Sequence, residues 1–136
     1  MTALRILIAF GLAGAVAACL PMKAKIPTGA EDFATYCAAC HGTDGKGAGA
    51  VAAVLSAAPA DLTQLSASNK GTFPSARVMS KVWGYTSQPA PEGPVMPPFA
   101  DLLEGDTVLY DSGDGIATPT PLRLVQLSEY VQTLQE

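Results

Sequence analysis

The sequence has few of the side chains that bind metals and few basic residues. Among 136 residues it holds one histidine, His41, and three cysteines. A site with two histidine ligands is therefore excluded, and a structural zinc site with four ligands would have to recruit the distant Cys19. Lysine and arginine number 8 against 12 aspartates and glutamates, for a net charge of −4. This balance argues against nucleic acid and anionic lipid surfaces as partners.

The most informative segment is the run Cys37-Ala38-Ala39-Cys40-His41. Two cysteines three apart, followed directly by a histidine, are typical of a site where c-type haem is attached covalently. One helical turn can present both thiols to the vinyl groups of a porphyrin, and His41 is then placed as an axial ligand of the iron. A thioredoxin-like redox site would need a βαβ context, and no strand pattern surrounds this motif. The sequence therefore predicts one covalently bound haem c.

The N-terminus is typical of an export signal. Residues 1–5 carry one positive charge, and residues 6–18 form an apolar run that is too short to span a bilayer comfortably and ends in small side chains. We therefore expect residues 1–18 to be a signal peptide, residues 19–27 a tether and residues 28–136 the cytochrome domain, located in the periplasm.

The end of that apolar run, Val16-Ala17-Ala18-Cys19, resembles the lipobox of bacterial lipoproteins. In that family the chain is cut before the cysteine, which is then acylated. Lipidation would also account for the one cysteine that haem does not use. Ordinary cleavage after Ala17 or Ala18 is the alternative. We expect lipidated Cys19 to anchor the protein to a membrane, because several acyl chains together bind stably.

The domain is predicted to be all-α with long loops. Its first helix begins at Thr28, which forms a capping box with Glu31, and apolar residues at helical spacing continue to Cys40. A later helix lies between Pro74, in its first turn, and Gly84, its C-terminal stop. No segment shows convincing strand alternation.

The last helix is predicted to begin near Pro121, with Thr118 or Thr120 as its N-cap. Its apolar residues recur every three to four positions, at Leu124, Leu127, Val131 and Leu134. This spacing indicates one apolar face that packs on the rest of the domain.

The segments between these helices are predicted to be loops and short turns. Residues 42–49 hold four glycines and predict a surface loop, and residues 50–58 could form a short helix. Five prolines make residues 86–98 an extended loop. Residues 101–115 form an acidic loop, for which solvation is the simpler interpretation and docking of a basic partner is the alternative.

An iron bound to His41 has a second axial position, for which methionine is the natural candidate. Met22 lies in the tether, and Met79 lies on the apolar side of a helix, where core packing is the simpler interpretation. Met96 lies in the proline-braced segment 94–99, where no helical periodicity accounts for it. Because the prolines restrict the backbone, less entropy is lost when the thioether binds. We therefore predict that Met96 is the second ligand.

The whole pattern, over residues 28–135, resembles the class I monohaem cytochrome c family. The resemblance implies a fold of three to five helices around one haem. In that fold Cys37 and Cys40 are the thioether sites, and His41 and Met96 are the axial ligands.

The resemblance also implies three supporting contacts. Gly29 and Phe33 would cross the last helix opposite Tyr130. A backbone carbonyl of residues 59–63 would accept a hydrogen bond from the proximal histidine, which would orient its ring. Trp83 would either donate to a haem propionate or pack on the porphyrin.

These expectations describe a one-electron carrier and not an enzyme. With both axial positions filled, the remaining chemistry is outer-sphere electron transfer between redox proteins, here in a periplasmic respiratory or photosynthetic chain. One alternative is a haem-based gas sensor or peroxidase-like protein with an open iron site. Another is a haem subunit fixed within a membrane oxidoreductase complex.

Overall fold

The computed structural model describes residues 25–85 and 96–136, which form a small helical fold with one β-hairpin. The four α-helices are α1 (Gly29–Tyr36), α2 (Ala38–His41), α3 (Ser75–Trp83) and α4 (Leu122–Thr133). Short 3₁₀ turns occur at Ala52–Val54, Leu62–Gln64, Ala67–Asn69 and Ala100–Leu102. The hairpin consists of β1 (Thr107–Asp111) and β2 (Ala117–Pro121), which pair antiparallel.

Several predictions fall on residues that the structure does not describe. These are the signal peptide, the lipidation site Cys19, Met22 and most of the proline-rich segment that precedes Met96. Within residues 25–85 and 96–136, no helix is long and apolar enough to cross a membrane.

The start of α1 is the predicted capping box at Thr28. The Thr28 hydroxyl accepts a hydrogen bond from the backbone N–H of Glu31, and the Thr28 backbone N–H donates to the Glu31 carboxylate at 2.7 Å. Lys25 adds an ion pair with the same carboxylate at 2.9 Å. The hydrogen bond from the Thr28 backbone N–H, followed by those from the side chains of Lys25 and Thr28, lowers the pKa of Glu31 to about 2. The predicted start of α1, the helix that leads into the cysteine motif, is therefore confirmed.

Helix α1 crosses α4 at a point where a side chain would not fit. A Cβ added at Gly29 would lie 2.0 Å from the carbonyl oxygen of Gln126 and 3.0 Å from the Tyr130 Cβ. One turn later, the rings of Phe33 and Tyr130 pack with their centroids 5.2 Å apart. The predicted helix crossing is therefore confirmed, and it forms one side of the core.

Replacing Gly29 with valine is expected to lower the free energy of unfolding by about 2 to 3 kcal/mol, because the added carbons force the two helices apart. Chemical denaturation of the haem-loaded protein measures this loss. The control is Ala34→Val on the exposed side of the same helix, which keeps the β-branched side chain but makes no clash. Equal losses in the two variants would contradict the close packing at Gly29.

The buried core lies between α1, α3 and α4. Its buried apolar side chains are Phe33, Cys37, Met79, Val82, Leu102, Leu124, Val125, Leu127 and Val131. Helix α3 ends as predicted, since Gly84 takes a left-handed conformation with φ of +96°. Helix α1, which leads into the cysteine motif, therefore shares one core with α3 and α4.

The hairpin corrects the prediction of an all-α fold and of a loop throughout residues 101–115. Val108 and Tyr110 pack against the core, and the intervening Leu109 is 72% exposed. The sequence of β1 does not alternate clearly between apolar and polar residues, because the outward-facing Leu109 is apolar. Strand β2 contains two prolines, which are unusual inside strands. The turn is closed by the Asp111 carboxylate, which accepts hydrogen bonds from three backbone N–H groups.

The start of α4 is close to the predicted position, but the predicted threonine cap is wrong. Pro121 precedes the helix and makes no side-chain cap. The Thr120 hydroxyl donates instead to the Thr118 carbonyl, because both residues belong to β2. The predicted helix at residues 50–58 is likewise reduced to the 3₁₀ turn Ala52–Val54.

Candidate functional site

The cysteine motif forms a short helical turn that continues the path of α1. Cys37 lies between α1 and α2, and its carbonyl accepts hydrogen bonds from the N–H groups of Cys40 at 3.1 Å and His41 at 2.9 Å. Both thiols are free of disulfides. Cys37 is buried in the core and Cys40 is half-buried. Two thiols are therefore held one turn apart, directly beside an imidazole.

Burial determines the protonation of the first thiol. Desolvation, followed by the charges of Asp32 and Cys40, raises the pKa of Cys37 to about 12. At neutral pH the thiol is therefore protonated, which suits a side chain packed among apolar groups.

The ring of His41 is oriented by the backbone of a neighbouring loop. Its Nδ1 lies 3.0 Å from the carbonyl oxygen of Ala60. A carbonyl can only accept a hydrogen bond, so the ring nitrogen donates, and Nε2 is left with its lone pair for a metal. Ala60 lies in the segment 59–63 that the resemblance marked for this role. Such a bond fixes the tautomer and raises the basicity of the ligand.

The glycine-rich segment 42–49 folds back against α2. The N–H of Gly47 donates to the carbonyl of His41 at 2.7 Å, and the N–H of Gly49 donates to the carbonyl of Cys40 at 3.0 Å. A Cβ on Gly49 would lie 2.3 Å from the carbonyl oxygen of Ala39. The predicted surface loop is confirmed, since residues 42–49 contain no helix or strand and four of the eight are exposed. The backbone contacts that these glycines permit, which hold the motif in place, were not predicted.

Met96 is half-buried and packs against the same core as Cys37. The segment that follows it is fixed to the end of α3. The N–H of Phe99 donates to the carbonyl of Val82 at 3.2 Å, and Pro98 packs so closely on Gly84 that a Cβ there would lie 2.8 Å away. Met96 is thus carried by an anchored segment beside the core that contains the cysteine motif.

The other described methionine and the tryptophan lie on α3. Met79 is buried in the core, as the sequence interpretation expected. Trp83 is half-buried, with its ring centroid 5.3 Å from that of Tyr85. Met79 and Trp83 both line an open surface pocket of about 230 Å³, whose other wall includes Thr118 and Thr120 of the hairpin. The contact of Trp83 with a haem stays a prediction.

The sequence reasoning missed a buried ion pair next to the motif. The guanidinium of Arg123 on α4 donates to both carboxylate oxygens of Asp32 on α1, and Asp32 is only 1% exposed. Arg123 also donates to the carbonyl of Asp101 at 2.7 Å and lies 5.9 Å from the centre of the Tyr36 ring. The hydrogen bonds with Asp32 raise the pKa of Arg123 above its ordinary value. No local pattern pairs residues 91 positions apart, so this contact requires the fold.

Tyr36 contacts both this ion pair and the segment that follows Met96. The Tyr36 hydroxyl donates to the Asp101 carboxylate at 3.3 Å, and its ring meets the edge of Phe99 at 5.8 Å. Tyr36 directly precedes Cys37. The network therefore joins the attachment motif to the methionine segment.

The donor set fits a haem better than a metal ion bound by side chains alone. Within the described ranges, no three histidine, cysteine or carboxylate side chains come together to hold a metal. One imidazole with a fixed tautomer, two free thiols and a nearby apolar core match what a covalently attached porphyrin needs.

Comparison with protein families supports the same cofactor. The cytochrome c family model matches residues 26–108, which include the cysteine motif and Met96 but end within β1. Comparisons with curated proteins and with solved structures gave no match. The matched region covers more than half of the 136 residues. The chain therefore belongs to the cytochrome c family, which binds covalent haem c and transfers electrons through its iron.

Proposed function

We propose that this protein is a class I monohaem cytochrome c that carries single electrons between redox proteins in a bacterial periplasmic respiratory or photosynthetic chain. Cys37 and Cys40 hold the haem, and His41 and Met96 are its axial ligands. When bound, haem c supplies a one-electron redox couple. The residues of this chain bind and orient it and exclude water from it.

The hydrogen bond between His41 and Ala60 is the observation that carries this proposal. It leaves Nε2 as the free ring nitrogen. The segment that contains Ala60 is held by the Leu62 N–H, which donates to Gly45 in the same loop that is hydrogen-bonded to the attachment turn. The single Cys-x-x-Cys-His motif supports one haem per chain. The anchored position of Met96 supports a thioether as the second ligand.

Two protein ligands would make the iron a carrier site and not a catalytic one. An iron with both axial positions filled by protein side chains has no free position for a gas or a peroxide. Methionine opposite histidine also raises the reduction potential, which suits transfer to high-potential acceptors.

Carbon monoxide tests this proposal on the reduced, haem-loaded protein. We expect the absorption spectrum to stay unchanged under carbon monoxide, because Met96 occupies the sixth position. The positive control is Met96→Ala, whose spectrum is expected to change on addition of the gas. Rapid binding to the wild-type protein would reject the carrier and favour a sensor or a peroxidase-like protein.

The N-terminal assignments extend the proposal to location. Residues 1–18 act as an export signal, Cys19 carries the lipid anchor, and residues 19–27 tether the domain of residues 28–136 to the membrane. The support is the lipobox-like sequence and the lack of a role for a third thiol in haem attachment. Cys19→Ser should move the protein from the membrane fraction to the soluble periplasm; unchanged fractionation would contradict the anchor.

A further inference from the structure

The outer face of the hairpin is an unpartnered apolar surface in the part of the chain that lies mostly beyond the family match. Leu109 in β1 pairs with Pro119 in β2, and both are exposed. Ile116, in the turn, is 62% exposed. We call this surface, made of Leu109, Ile116, Ala117 and Pro119, the hairpin face. Clustered apolar side chains on a hairpin are a feature of interaction sites.

Negative charge stands at both ends of the hairpin face. Glu104 and Asp106 precede β1, and Asp111 and Asp114 lie at the turn. No lysine, arginine or histidine occurs between residues 101 and 122. Two cations line a surface pocket with Glu104 and Asp106, and each has another carboxylate as its partner. Arg123 is bound to the buried Asp32, and Lys25 is bound to Glu31.

An apolar centre with a charged border is the usual composition of an interface between proteins that associate transiently. We propose that the hairpin face is the docking surface for a basic redox partner protein. This inference rests on the proposed electron-carrier function and adds the site and the charge of the partner.

Charge complementarity selects this occupant over two others. A second copy of the chain would bring the same carboxylates together, and the whole chain has a net charge of −4. A membrane surface rich in anionic lipids would be repelled in the same way. A protein with clustered lysines would be attracted over a distance, which speeds the encounter.

The hairpin lies beside an aromatic pair of the domain. Its inner side lines an open surface pocket of about 230 Å³ together with Trp83, the last residue of α3, and Tyr85, which follows the helix. A partner on the hairpin face would therefore be separated from this aromatic pair by the hairpin itself.

The test measures the rate at which the reduced, haem-loaded protein reduces a lysine-rich cytochrome c of positive net charge, at low and high ionic strength. The charge variant is Glu104→Gln with Asp106→Asn, and the apolar variant is Leu109→Ser with Ile116→Ser. Glu129→Gln on α4 controls for loss of a carboxylate elsewhere. Val54→Ser controls for an exposed apolar residue on another loop, since Val54 is 81% exposed.

We expect the charge variant to lower the second-order rate constant about tenfold at low ionic strength and to match the wild type at high ionic strength. The apolar variant is expected to lower it about threefold at both. The controls should match the wild type. Hairpin variants that match the controls, or a loss confined to Val54→Ser, would overturn the proposal.

A small inorganic oxidant separates this proposal from the proposed function. All variants are expected to reduce it at the wild-type rate, because it needs no protein surface. A wild-type protein that cannot reduce it reversibly would reject electron carriage itself, whereas normal reaction with unaltered hairpin variants would reject only the docking surface.

Discussion

Replacing Arg123 with leucine is expected to lower the free energy of unfolding by about 3 to 5 kcal/mol. The Asp32 carboxylate is 1% exposed and receives two hydrogen bonds from the guanidinium. Without Arg123 this charge stays buried with no compensating partner, and the high cost of desolvation is no longer offset. Denaturant unfolding of the haem-loaded variant measures the loss.

The double variant Asp32→Leu with Arg123→Leu shows whether the unpaired charge is the cause. Because both charges are then removed, its stability should return to within about 1 kcal/mol of the wild type. Arg77→Leu, at an exposed position on α3, is the matched control and should change stability by less than about 0.5 kcal/mol. A double variant as unstable as Arg123→Leu would contradict this explanation.

Replacing His41 with glycine is expected to abolish the low-spin absorption spectrum of the holoprotein while the haem stays covalently attached. The two thioether bonds need only Cys37 and Cys40, whereas the iron loses its proximal nitrogen. Free imidazole should enter the space of the lost side chain and restore the low-spin spectrum, although without the hydrogen bond to Ala60.

Ala39→Gly controls for the loosening of α2 by a glycine, since Ala39 is exposed on the same turn. Its spectrum should match that of the wild type. An unchanged spectrum in His41→Gly would show that another group binds the iron. A lost spectrum that imidazole fails to restore would contradict His41 as the proximal ligand.

The attachment site could be predicted from sequence because its chemistry is local. The cysteines and His41 share one helical turn, and the capping box at Thr28 depends on residues three apart. The crossing at Gly29 and the carbonyl contact from residues 59–63 came from a family resemblance and not from spacing. The structure contains both.

The features that the sequence did not reveal depend on contacts between distant residues. The pair of Arg123 with Asp32 forms only when α1 and α4 cross. The hairpin escaped notice because its outer face is partly apolar and its second strand contains prolines, so neither alternation nor strand propensity marked it. The role of Gly47 and Gly49 was missed for a similar reason, since glycine in a loop does not show what its backbone contacts.

The near-infrared absorption of the oxidised holoprotein tests the central claim, ligation by His41 and Met96, most directly. We predict the weak methionine–iron band in the wild type and in Met79→Ala, because Met79 is a core residue. The band should be absent from Met96→Ala. A wild-type protein without the band, or a Met96→Ala variant that keeps it, would contradict the proposed axial ligands.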